Sequence, residues 1–258
     1  MVYFSGTGNT KFIADNMKKQ LESCNIRVSL INIEKDKISP NDYDRIIIGG
    51  PVYIERYPEI LLEYIERYLK DYKGKCMLFS SQANTDKNSV FQHALMRLKF
   101  LNITYCEYIT MPNNFFNFGF KRLSSEEEIK IIRASVDKSI KAVNEFLNNK
   151  EKYYPFKKSK VVAYNLVYKI FYTFFTHFMV KDVEVDFDKC VHCRICERNC
   201  PMKAITVSKD KVKINRHCLL CQRCMSSCPK SAFKYKAKEF IQYNPDFKDI
   251  MNSAGNDD

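Results

Sequence analysis

The sequence has no N-terminal segment in which charged, apolar and small residues follow one another in the order of a secretory signal peptide. It also lacks the composition of fibrous or disordered proteins, since 45% of its residues are apolar and 28% are charged. Eleven cysteines would suit a secreted disulfide-rich protein, but the missing signal peptide argues against that class. We therefore expect a globular protein of the cytoplasm, and its 258 residues suit two domains, one of typical size and one small.

Eight of the eleven cysteines lie in two blocks with the same spacing, Cys-x2-Cys-x2-Cys-x3-Cys-Pro, and each element of the first block returns 28 residues later. In proteins with two cubane iron–sulfur clusters, three closely spaced cysteines bind one cluster and the fourth binds the other. The blocks therefore predict two [4Fe-4S] centres. The first has the ligands Cys190, Cys193, Cys196 and Cys228, and the second has Cys218, Cys221, Cys224 and Cys200.

Structural zinc is the alternative for these cysteines. Zinc sites usually take two Cys-x2-Cys pairs separated by a longer stretch, so three cysteines in succession favour the clusters. The segment from about 183 to 237 resembles the bacterial two-cluster ferredoxins, which implies two pseudo-symmetric lobes and one-electron transfer. Three cysteines remain outside the blocks, at a predicted helix end and in two predicted strands, and we expect them to be buried, unreactive thiols. They are Cys24, Cys76 and Cys106.

The chain opens with a short β-rich run, Met1 to Phe4, then a Ser/Thr/Gly loop, then apolar residues at helical spacing. This order aims backbone N–H groups and hydroxyls at an anion on the helix N-terminus. The loop is neither a Walker loop nor a dinucleotide fingerprint, so ATP and NAD are not expected. The alternative is a glycine-rich turn that caps the helix with Asn9 or Thr10. The loop resembles the phosphate loop of flavodoxins, which implies that six residues hold the phosphate of FMN. They are Ser5, Gly6, Thr7, Gly8, Asn9 and Thr10.

Strand and helix patterns alternate through the first 150 residues. Further strands are predicted at 27–33, 45–50, 76–80 and 103–109, and helices at 58–72, 88–99 and 124–148. Five strands with flanking helices predict an α/β fold, a flavodoxin-like doubly wound five-stranded parallel sheet of order 2-1-3-4-5. A small α+β dicluster ferredoxin domain is expected to follow it. In this sheet the flavin lies beside strands 1 and 3.

The loops after strands 3 and 4 are therefore expected to contact the flavin ring. The first resembles the Gly-x-Pro-x-Tyr loop of flavodoxins and contains Pro51, Val52, Tyr53 and Ile54. Tyr53 is the candidate for contact with the ring, and its alternative role is packing within its own loop. The second loop departs from the flavodoxin pattern and offers Ser81, Gln82 and Asn84.

Four phenylalanines fall within six positions, 115–120, after the fifth strand. They are too many for a solvated loop, and three roles are open: covering the flavin edge, docking the ferredoxin domain, or filling core.

An apolar-rich stretch of about twenty residues, Val161 to Val180, links the two halves. We favour a helix laid across the two domains, because polar residues recur every four positions and form a narrow stripe. They are Asn165, Lys169, Thr173 and His177. The alternative is a helix on an anionic membrane surface over 157–181, which four further lysines support. They are Lys157, Lys158, Lys160 and Lys181.

The predicted organisation has four parts. A flavodoxin-like FMN-binding domain spans 1–150, a linker with an amphipathic connector helix spans 151–182, a 2[4Fe-4S] ferredoxin domain spans 183–237, and a tail spans 238–258. The tail loses hydrophobic pattern and turns acidic, so we expect it to fray.

The net charge of +12 is concentrated where the clusters are expected, with twelve basic and five acidic residues between 183 and 237. This departs from the acidic surfaces usual in ferredoxins and flavodoxins. It predicts an acidic redox protein as partner, or an anionic membrane surface. Nucleic acid is not favoured, because no recognition motif accompanies the charge.

The whole chain resembles the flavodoxin–ferredoxin fusion proteins of anaerobic bacteria. That resemblance implies low-potential electron transfer between FMN, two [4Fe-4S] clusters and an external redox partner. The alternative is an FMN-dependent reductase of a quinone or nitro compound, fed by the clusters. No catalytic acid, base or nucleotide-binding segment stands out in the sequence.

Overall fold

The computed structural model of the chain describes residues 1–83, 88–155, 158–209 and 211–252. They form two compact units. The first contains Met1–Asn113, Leu123–Tyr164 and the chain from Asp246 onward, and the second contains Asn114–Arg122 and Asn165–Pro245. The chain therefore leaves the first unit, builds the second, and returns to the first with its C-terminal segment.

A five-stranded sheet forms the centre of the first unit, and all its neighbouring strands are parallel. Its strands are β1 (Val2–Tyr3), β2 (Ile31–Asn32), β3 (Arg45–Pro51), β4 (Lys75–Gln82) and β5 (Asn102–Thr110). The order β2-β1-β3-β4-β5 confirms the predicted topology. Strand β2 is shorter than predicted, because it pairs only with the two residues of β1. The carboxyl ends of all five strands lie at one edge, where ligands bind in such sheets.

Four helices flank this sheet: α1 (Asn9–Ser23), α2 (Glu59–Tyr68), α3 (Val90–Arg97) and α4 (Ser125–Leu147). Helices α1 and α4 pack on each other and on the sheet, with Met17 and Val143 fully buried. The N-terminus of α4 carries the predicted cap: Ser124 Oγ accepts from the N–H of Glu127 at 3.2 Å, and the Glu127 carboxylate accepts from the N–H of Ser124 at 2.8 Å.

Two of the three cysteines outside the blocks are buried, and one is not. Burial raises the pKa of the Cys76 thiol and of the Cys106 thiol to about 12, so neither is ionised at neutral pH. The prediction was wrong for Cys24. It is exposed, because it follows the last turn of α1 instead of lying on its buried face.

The second unit contains a three-stranded and a two-stranded sheet, both antiparallel, and two short helices. The first sheet consists of β6 (Val183–Val185), β9 (Phe233–Tyr235) and β10 (Lys238–Glu239), and the second of β7 (Ile205–Val207) and β8 (Val212–Ile214). The helices are α7 (Ile195–Arg198) and α8 (Arg223–Ser226). Helix α8 follows α7, and β9 follows β7, by the same 28 residues that separate the cysteine blocks. The sequence repeat is thus a structural repeat.

The phenylalanine-rich segment belongs to the second unit. The Phe118 ring lies 4.5 Å from that of Tyr235 and 6.3 Å from that of Phe240. The amide of Asn117 donates to the carbonyl of Ile241 at 2.8 Å and accepts from its N–H at 2.9 Å. Of the three roles left open, docking onto the cysteine-containing unit is the one that these contacts support.

The connector is one continuous helical segment. It consists of α5 (Lys158–Ile170), a π-helical turn (Phe171–Phe175) and α6 (Thr176–Lys181). Among the described residues, no helix has both the length and the apolar character that crossing a bilayer requires.

Within the predicted tail, the C-terminal segment forms a short helix, α9 (Phe247–Asn252). The last residues, 253–258, where fraying is expected, lie outside the described residues. The Asp246 carboxylate accepts hydrogen bonds from the N–H groups of Lys248 and Asp249, both at 3.0 Å, and so begins the helix. The Phe247 ring stacks on the Phe12 ring of α1 at 4.3 Å, and Ile250 packs on the core of the first unit. This segment therefore adds to the first unit.

Replacing Phe247 by alanine should lower the free energy of unfolding by about 1–2 kcal/mol, because a half-buried ring and its stacking partner are lost. Urea denaturation of the anaerobically purified protein measures this. Lys248→Ala, on the exposed side of the same helix, is the control and should leave the midpoint unchanged. Equal midpoints for the two variants would show that the helix adds nothing to stability.

Candidate functional site

Residues 5–10 form the candidate phosphate loop, which comprises the turn after β1 and the first two residues of α1, Asn9 and Thr10. Gly8 precedes the helix with a φ of 108°, a conformation that glycine adopts without strain. Ser5 Oγ accepts from the N–H groups of Gly8 at 3.2 Å and Lys11 at 3.3 Å, so the loop closes on its first residue. The first turn of α1 contains no acidic residue, and the helix directs its positive dipole end to the loop. This arrangement fits a bound phosphate.

The alternative interpretation of this loop, a turn in which Asn9 or Thr10 caps the helix, does not match the structure. Helix α1 begins at Asn9, and its cap position is taken by Gly8 with no side-chain hydrogen bond. The side chain of Asn9 instead reaches the loop after β5, and that of Thr10 reaches the end of β4. Asn9 Nδ2 donates to the carbonyl of Pro112 at 3.2 Å, and Thr10 Oγ1 lies 2.7 Å from Ser81 Oγ.

The buried Thr10–Ser81 contact places Ser81, near the end of β4, beside the candidate phosphate loop. The contact of Ser81 with the flavin ring, which the sequence predicts, stays a prediction. In the structure the Ser81 hydroxyl is within hydrogen-bonding distance of the phosphate loop, and only 5% of the residue is exposed. Ser81 therefore helps to hold the phosphate loop against the end of β4.

The candidate ring loop after β3 is a tight turn. The N–H of Tyr53 donates to the carbonyl of Arg56 at 2.9 Å, and the two residues between them, Ile54 and Glu55, have φ values of 47° and 65°. A positive φ at a β-branched residue such as Ile54 is strained. The turn is held by Ser89 at the start of α3, whose N–H and Oγ donate to Glu55 at 2.8 and 3.0 Å. The turn that follows Pro51, the last residue of β3, is thus held by the hydrogen bond between Tyr53 and Arg56 and by the contacts of Ser89 with Glu55. Val52 and Tyr53 lie on this turn.

Gln82 lies at the carboxyl end of β4, where its side chain joins a buried hydrogen-bond network. Its Oε1 atom accepts from Asn88 Nδ2 at 2.7 Å and from Ser80 Oγ at 3.2 Å. Tyr108 OH donates to the carbonyl of Asn88 at 2.6 Å and extends the network to β5. Gln82 therefore orders this edge of the sheet. The third candidate of this loop, Asn84, lies outside the described residues.

The eight cysteines of the two blocks line two separate cavities in the second unit. One is lined by Cys190, Cys193, Cys196 and Cys228, and the other by Cys200, Cys218, Cys221 and Cys224. Each cavity thus takes three cysteines from one block and the fourth from the other. These are the two sets that the sequence assigns to the two clusters.

Apolar side chains complete the walls of both cavities. Val185, Val207 and Phe233 line the first, and Val180, Ile205 and Met225 line the second. Among the described residues, no three His, Cys, Asp or Glu side chains converge closely enough to hold one metal ion. Four thiols in each cavity match the number of cysteine ligands of a [4Fe-4S] cluster.

The backbone around the cysteines repeats as faithfully as the sequence does. Around the cysteines, six non-glycine residues with φ values between 46° and 60° form three pairs separated by 28 residues. The pairs are His192 and Leu220, Arg194 and Gln222, and Lys203 and Ser231. Such turns direct successive N–H groups into a concave site, which is the backbone arrangement of many iron–sulfur sites.

Backbone amides also reach the cysteine sulfurs. The N–H of Ala204 donates to Cys200 Sγ at 3.2 Å, and the N–H of Ala232 donates to Cys228 Sγ at 3.4 Å, again 28 residues apart. Hydrogen bonds to sulfur stabilise the thiolate and the added electron of a reduced cluster.

Burial opposes the ionisation of these thiols. It raises the pKa of the Cys218 thiol to about 12 and that of Cys224 well above its usual value. Thiolates are the ligands of iron, so cluster assembly must displace these protons and supply the compensating charge. The same low polarity makes each nearby charge more effective.

Comparison with known proteins assigns the two halves to domains. The family model described as Flavodoxin domain matches residues 1–119, and the one described as 4Fe-4S dicluster domain matches residues 189–232. The chain carries a flavodoxin domain and a 4Fe-4S dicluster domain. This agrees with the fusion architecture that the sequence predicts.

Individual relatives match parts of the chain. An uncharacterized protein of Methanocaldococcus jannaschii is 41% identical over 64 residues, and the match spans about a quarter of either protein (24% of each). A flavodoxin of Bacillus cereus is 18% identical, with 57% of this chain and 95% of that chain covered and a TM-score of 0.41. A Megasphaera elsdenii flavodoxin is also 18% identical, with 55% of this chain and 97% of that chain covered and a TM-score of 0.38.

The flavodoxin domain implies FMN, and the dicluster domain with its clustered cysteines implies iron–sulfur clusters. The residues present fit both groups. Residues 5–10 form a loop at a helix N-terminus without an acidic first turn, and each cavity in the dicluster domain offers four thiols. The individual ligand assignments remain predictions.

Sequence reasoning missed two groups of residues near these sites. Glu55 and Ser89 fix the turn after β3, but they are distant in sequence and belong to no motif. Phe247 lies against the phosphate loop, since a Cβ atom added to Gly8 would be 3.5 Å from its ring. The only signal for α9 was Asp246 followed by Phe247 and Ile250, which is too short to establish periodicity.

Replacing Gly8 by alanine should weaken FMN binding at least tenfold, because alanine is strained at a φ of 108° and the loop amides would turn away from the phosphate. Quenching of flavin fluorescence measures the dissociation constant. Riboflavin, which lacks the phosphate, should bind the variant and the parent equally. Gly119→Ala imposes a similar strain at φ 98° in the second unit and is the matched control. An equal loss for riboflavin would mean that the loop does not bind the phosphate.

Two double variants test how the cysteines are shared. If Cys196 and Cys228 bind the same cluster, Cys196→Ala with Cys228→Ala should leave about four irons per chain. Cys196→Ala with Cys200→Ala, which affects both cavities, should remove both clusters. Iron and sulfide analysis with electron paramagnetic resonance distinguishes them. If instead the Cys196 and Cys200 variant kept about four irons and the Cys196 and Cys228 variant lost both clusters, each block would bind its own cluster.

The basic residues at the first cavity should raise the potential of its cluster. Arg194 and Lys230 line this cavity. At the positions 28 residues away in the other repeat, Gln222 corresponds to Arg194 and Met202 corresponds to Lys230. Exchanging Arg194→Gln and Lys230→Met should therefore preserve the fold and lower the potential. One positive charge about 10 Å from the cluster, at an effective dielectric of about 20, raises the reduction potential of the cluster by about 70 mV before screening by salt.

A spectroelectrochemical titration of this variant measures the shift. The charge-conserving variant Arg194→Lys with Lys230→Arg should keep the parent potential. If the charge-removing variant also kept it, the basic lining would have no electrostatic role at the cluster.

Proposed function

We propose that the protein is a low-potential electron carrier that relays electrons between FMN, two [4Fe-4S] clusters and an external redox partner. The two domains support an FMN and iron–sulfur redox function. The observation that carries the finer proposal is that two complete four-cysteine cavities occur in the same chain as a phosphate loop. When bound, FMN can take one or two electrons and each cluster takes one.

The residues of this chain would have defined tasks in such a carrier. The loop of residues 5–10 binds the phosphate, and the turn after β3, fixed by Glu55 and Ser89, presents Tyr53 to the ring. The apolar walls of the two cavities exclude water from the clusters, which lowers the local dielectric and lets backbone amides and basic residues set the potential.

The partner that fits the basic segment of residues 183–237 is an acidic redox protein. The segment 183–237 has twelve basic and five acidic residues, and complementary charge speeds the encounter of redox proteins. The proposed setting is the cytoplasm.

Anaerobic stopped-flow reduction tests the relay. After the clusters are reduced rapidly, the flavin of the same chain should become reduced at a rate that does not depend on protein concentration. The Cys196→Ala with Cys200→Ala variant, expected to lack both clusters, should lose this phase. A rate proportional to protein concentration would show that electrons pass between molecules and would contradict the relay.

The reductase alternative gives a different result in steady state. An FMN-dependent reductase would turn over a quinone or a nitro compound many times with reduced protein as the electron source. A carrier should exchange electrons with redox proteins and reduce these small acceptors only slowly. Rapid, saturable turnover of a small acceptor would replace the carrier proposal.

A further inference from the structure

The connector helix has an apolar face that the other described residues of the second unit leave exposed. Six large apolar side chains of this helix in the second unit are between 43% and 62% exposed. They are Leu166, Val167, Ile170, Phe174, Phe175 and Phe178. This differs from the favoured expectation of a helix that buries its apolar residues and turns only a polar edge to water.

The opposite face of the same helix is firmly seated in the second unit. Tyr168, Thr176 and Val180 are at least 93% buried, since 7%, 1% and 7% of each is exposed. Tyr172 OH donates to the carbonyl of Leu219 at 3.4 Å, and Val180 lines the second four-cysteine cavity. The exposed face is therefore not the result of a loosely attached helix.

The π-helical turn keeps these two faces apart. The exposed row at 166, 170, 174 and 178 and the buried row at 168, 172, 176 and 180 both have a spacing of four residues. In a regular α-helix a spacing of four drifts by about 40° per step, or about 120° over three steps. The extra residue of the π turn at Phe171–Phe175 takes up about 100° of that drift. Each row thus stays straight, and the two rows lie on opposite sides.

The exposed row and its two neighbours form a sizeable patch. A whole Phe side chain has roughly 200 Å² of surface, so the six exposed fractions amount to on the order of 600 Å². This is at the upper end of what monomeric proteins expose. Such a patch usually marks an interaction surface.

The charge of the helix indicates what covers this patch. From Lys158 to Lys181 the sequence contains four lysines and no acidic residue. Lys169 and Lys181 are exposed, and Lys181 Nζ lies 5.7 Å from the Phe178 ring centre, beside the patch. An apolar face with basic residues at its edge is the pattern of helices that lie on anionic bilayers. Pairing with a second copy would bring these lysines together and is opposed by their repulsion.

We propose that this helix binds the protein to an anionic membrane surface, with the apolar patch in the headgroup boundary and Lys169 and Lys181 at the lipid phosphates. The second four-cysteine cavity, which Val180 lines from the buried side of the helix, would then lie behind the helix, on its side away from the bilayer. The inference rests on the surface of the helix alone and does not depend on the cofactors.

Vesicle cosedimentation of the full chain, purified anaerobically, tests this proposal. Vesicles of phosphatidylcholine with about 30% phosphatidylglycerol should bind the protein at low salt, and pure phosphatidylcholine vesicles should bind it far more weakly. Phe174→Ser with Phe178→Ser should weaken binding at least tenfold per residue. Lys169→Ala with Lys181→Ala should weaken it about 25-fold, since each basic residue near such a surface contributes about fivefold.

Phe120→Ser is the matched control, because Phe120 is 60% exposed in the same unit but lies outside the helix. It should bind vesicles as the parent does, and all variants should retain their cluster absorption. The proposal is overturned if the parent does not bind anionic vesicles, or if the helix variants bind as tightly as Phe120→Ser. It is also overturned if the parent is a dimer that Phe174→Ser with Phe178→Ser converts to monomers without any vesicle binding.

Discussion

The need to place four thiols around each of two small cavities is the constraint on which the second unit depends. Around the cysteines the chain forms only short strands and four-residue helices, and few apolar residues form the core. The chain meets the constraint by placing six non-glycine residues in the left-handed region, where each is disfavoured by about 1 kcal/mol. Metal–thiolate bonds are strong enough to offset such strain, so bound clusters would stabilise the fold of this unit as well as carry electrons.

The candidate site of the first unit depends on the backbone of the fold and not on metal ligands. Its ligand would be held by a helix N-terminus and by loops at the carboxyl edge of a parallel sheet, so the fold supplies the site without strong metal bonds. The loops are fixed by pairwise contacts: Thr10 with Ser81, Glu55 with Ser89, and Gln82 with Asn88. The return of the chain as α9 adds Phe247 against Phe12 at the first turn of α1. The phosphate loop thus depends on residues from both ends of the sequence.

Much of this follows from the sequence because the signals are local. The sheet order was predicted from alternating strands and helices, and the cysteine sets from a spacing that returns after 28 residues. What could not be predicted depends on contacts between distant residues. The contact of Ser81 with Thr10 joins residues 71 positions apart. Helix α9 has too few residues for a periodic pattern, and its packing on α1 involves the opposite end of the chain.

The connector shows the same limit in another form. Its polar stripe and its apolar residues were visible in the sequence, but periodicity alone does not say which apolar face is covered. The π-helical turn decides this, because it holds Tyr168, Tyr172, Thr176 and Val180 on the buried side and leaves Phe174 and Phe178 exposed. A single extra residue in a turn cannot be read from a hydrophobic pattern.

The proposed electron relay requires two kinds of redox cofactor in one polypeptide. Anaerobic purification followed by quantification of iron, acid-labile sulfide and flavin per chain is the most direct test. We expect about eight irons, about eight sulfides and one FMN. Zinc in place of iron, or a chain that holds its clusters but binds no FMN, would contradict it.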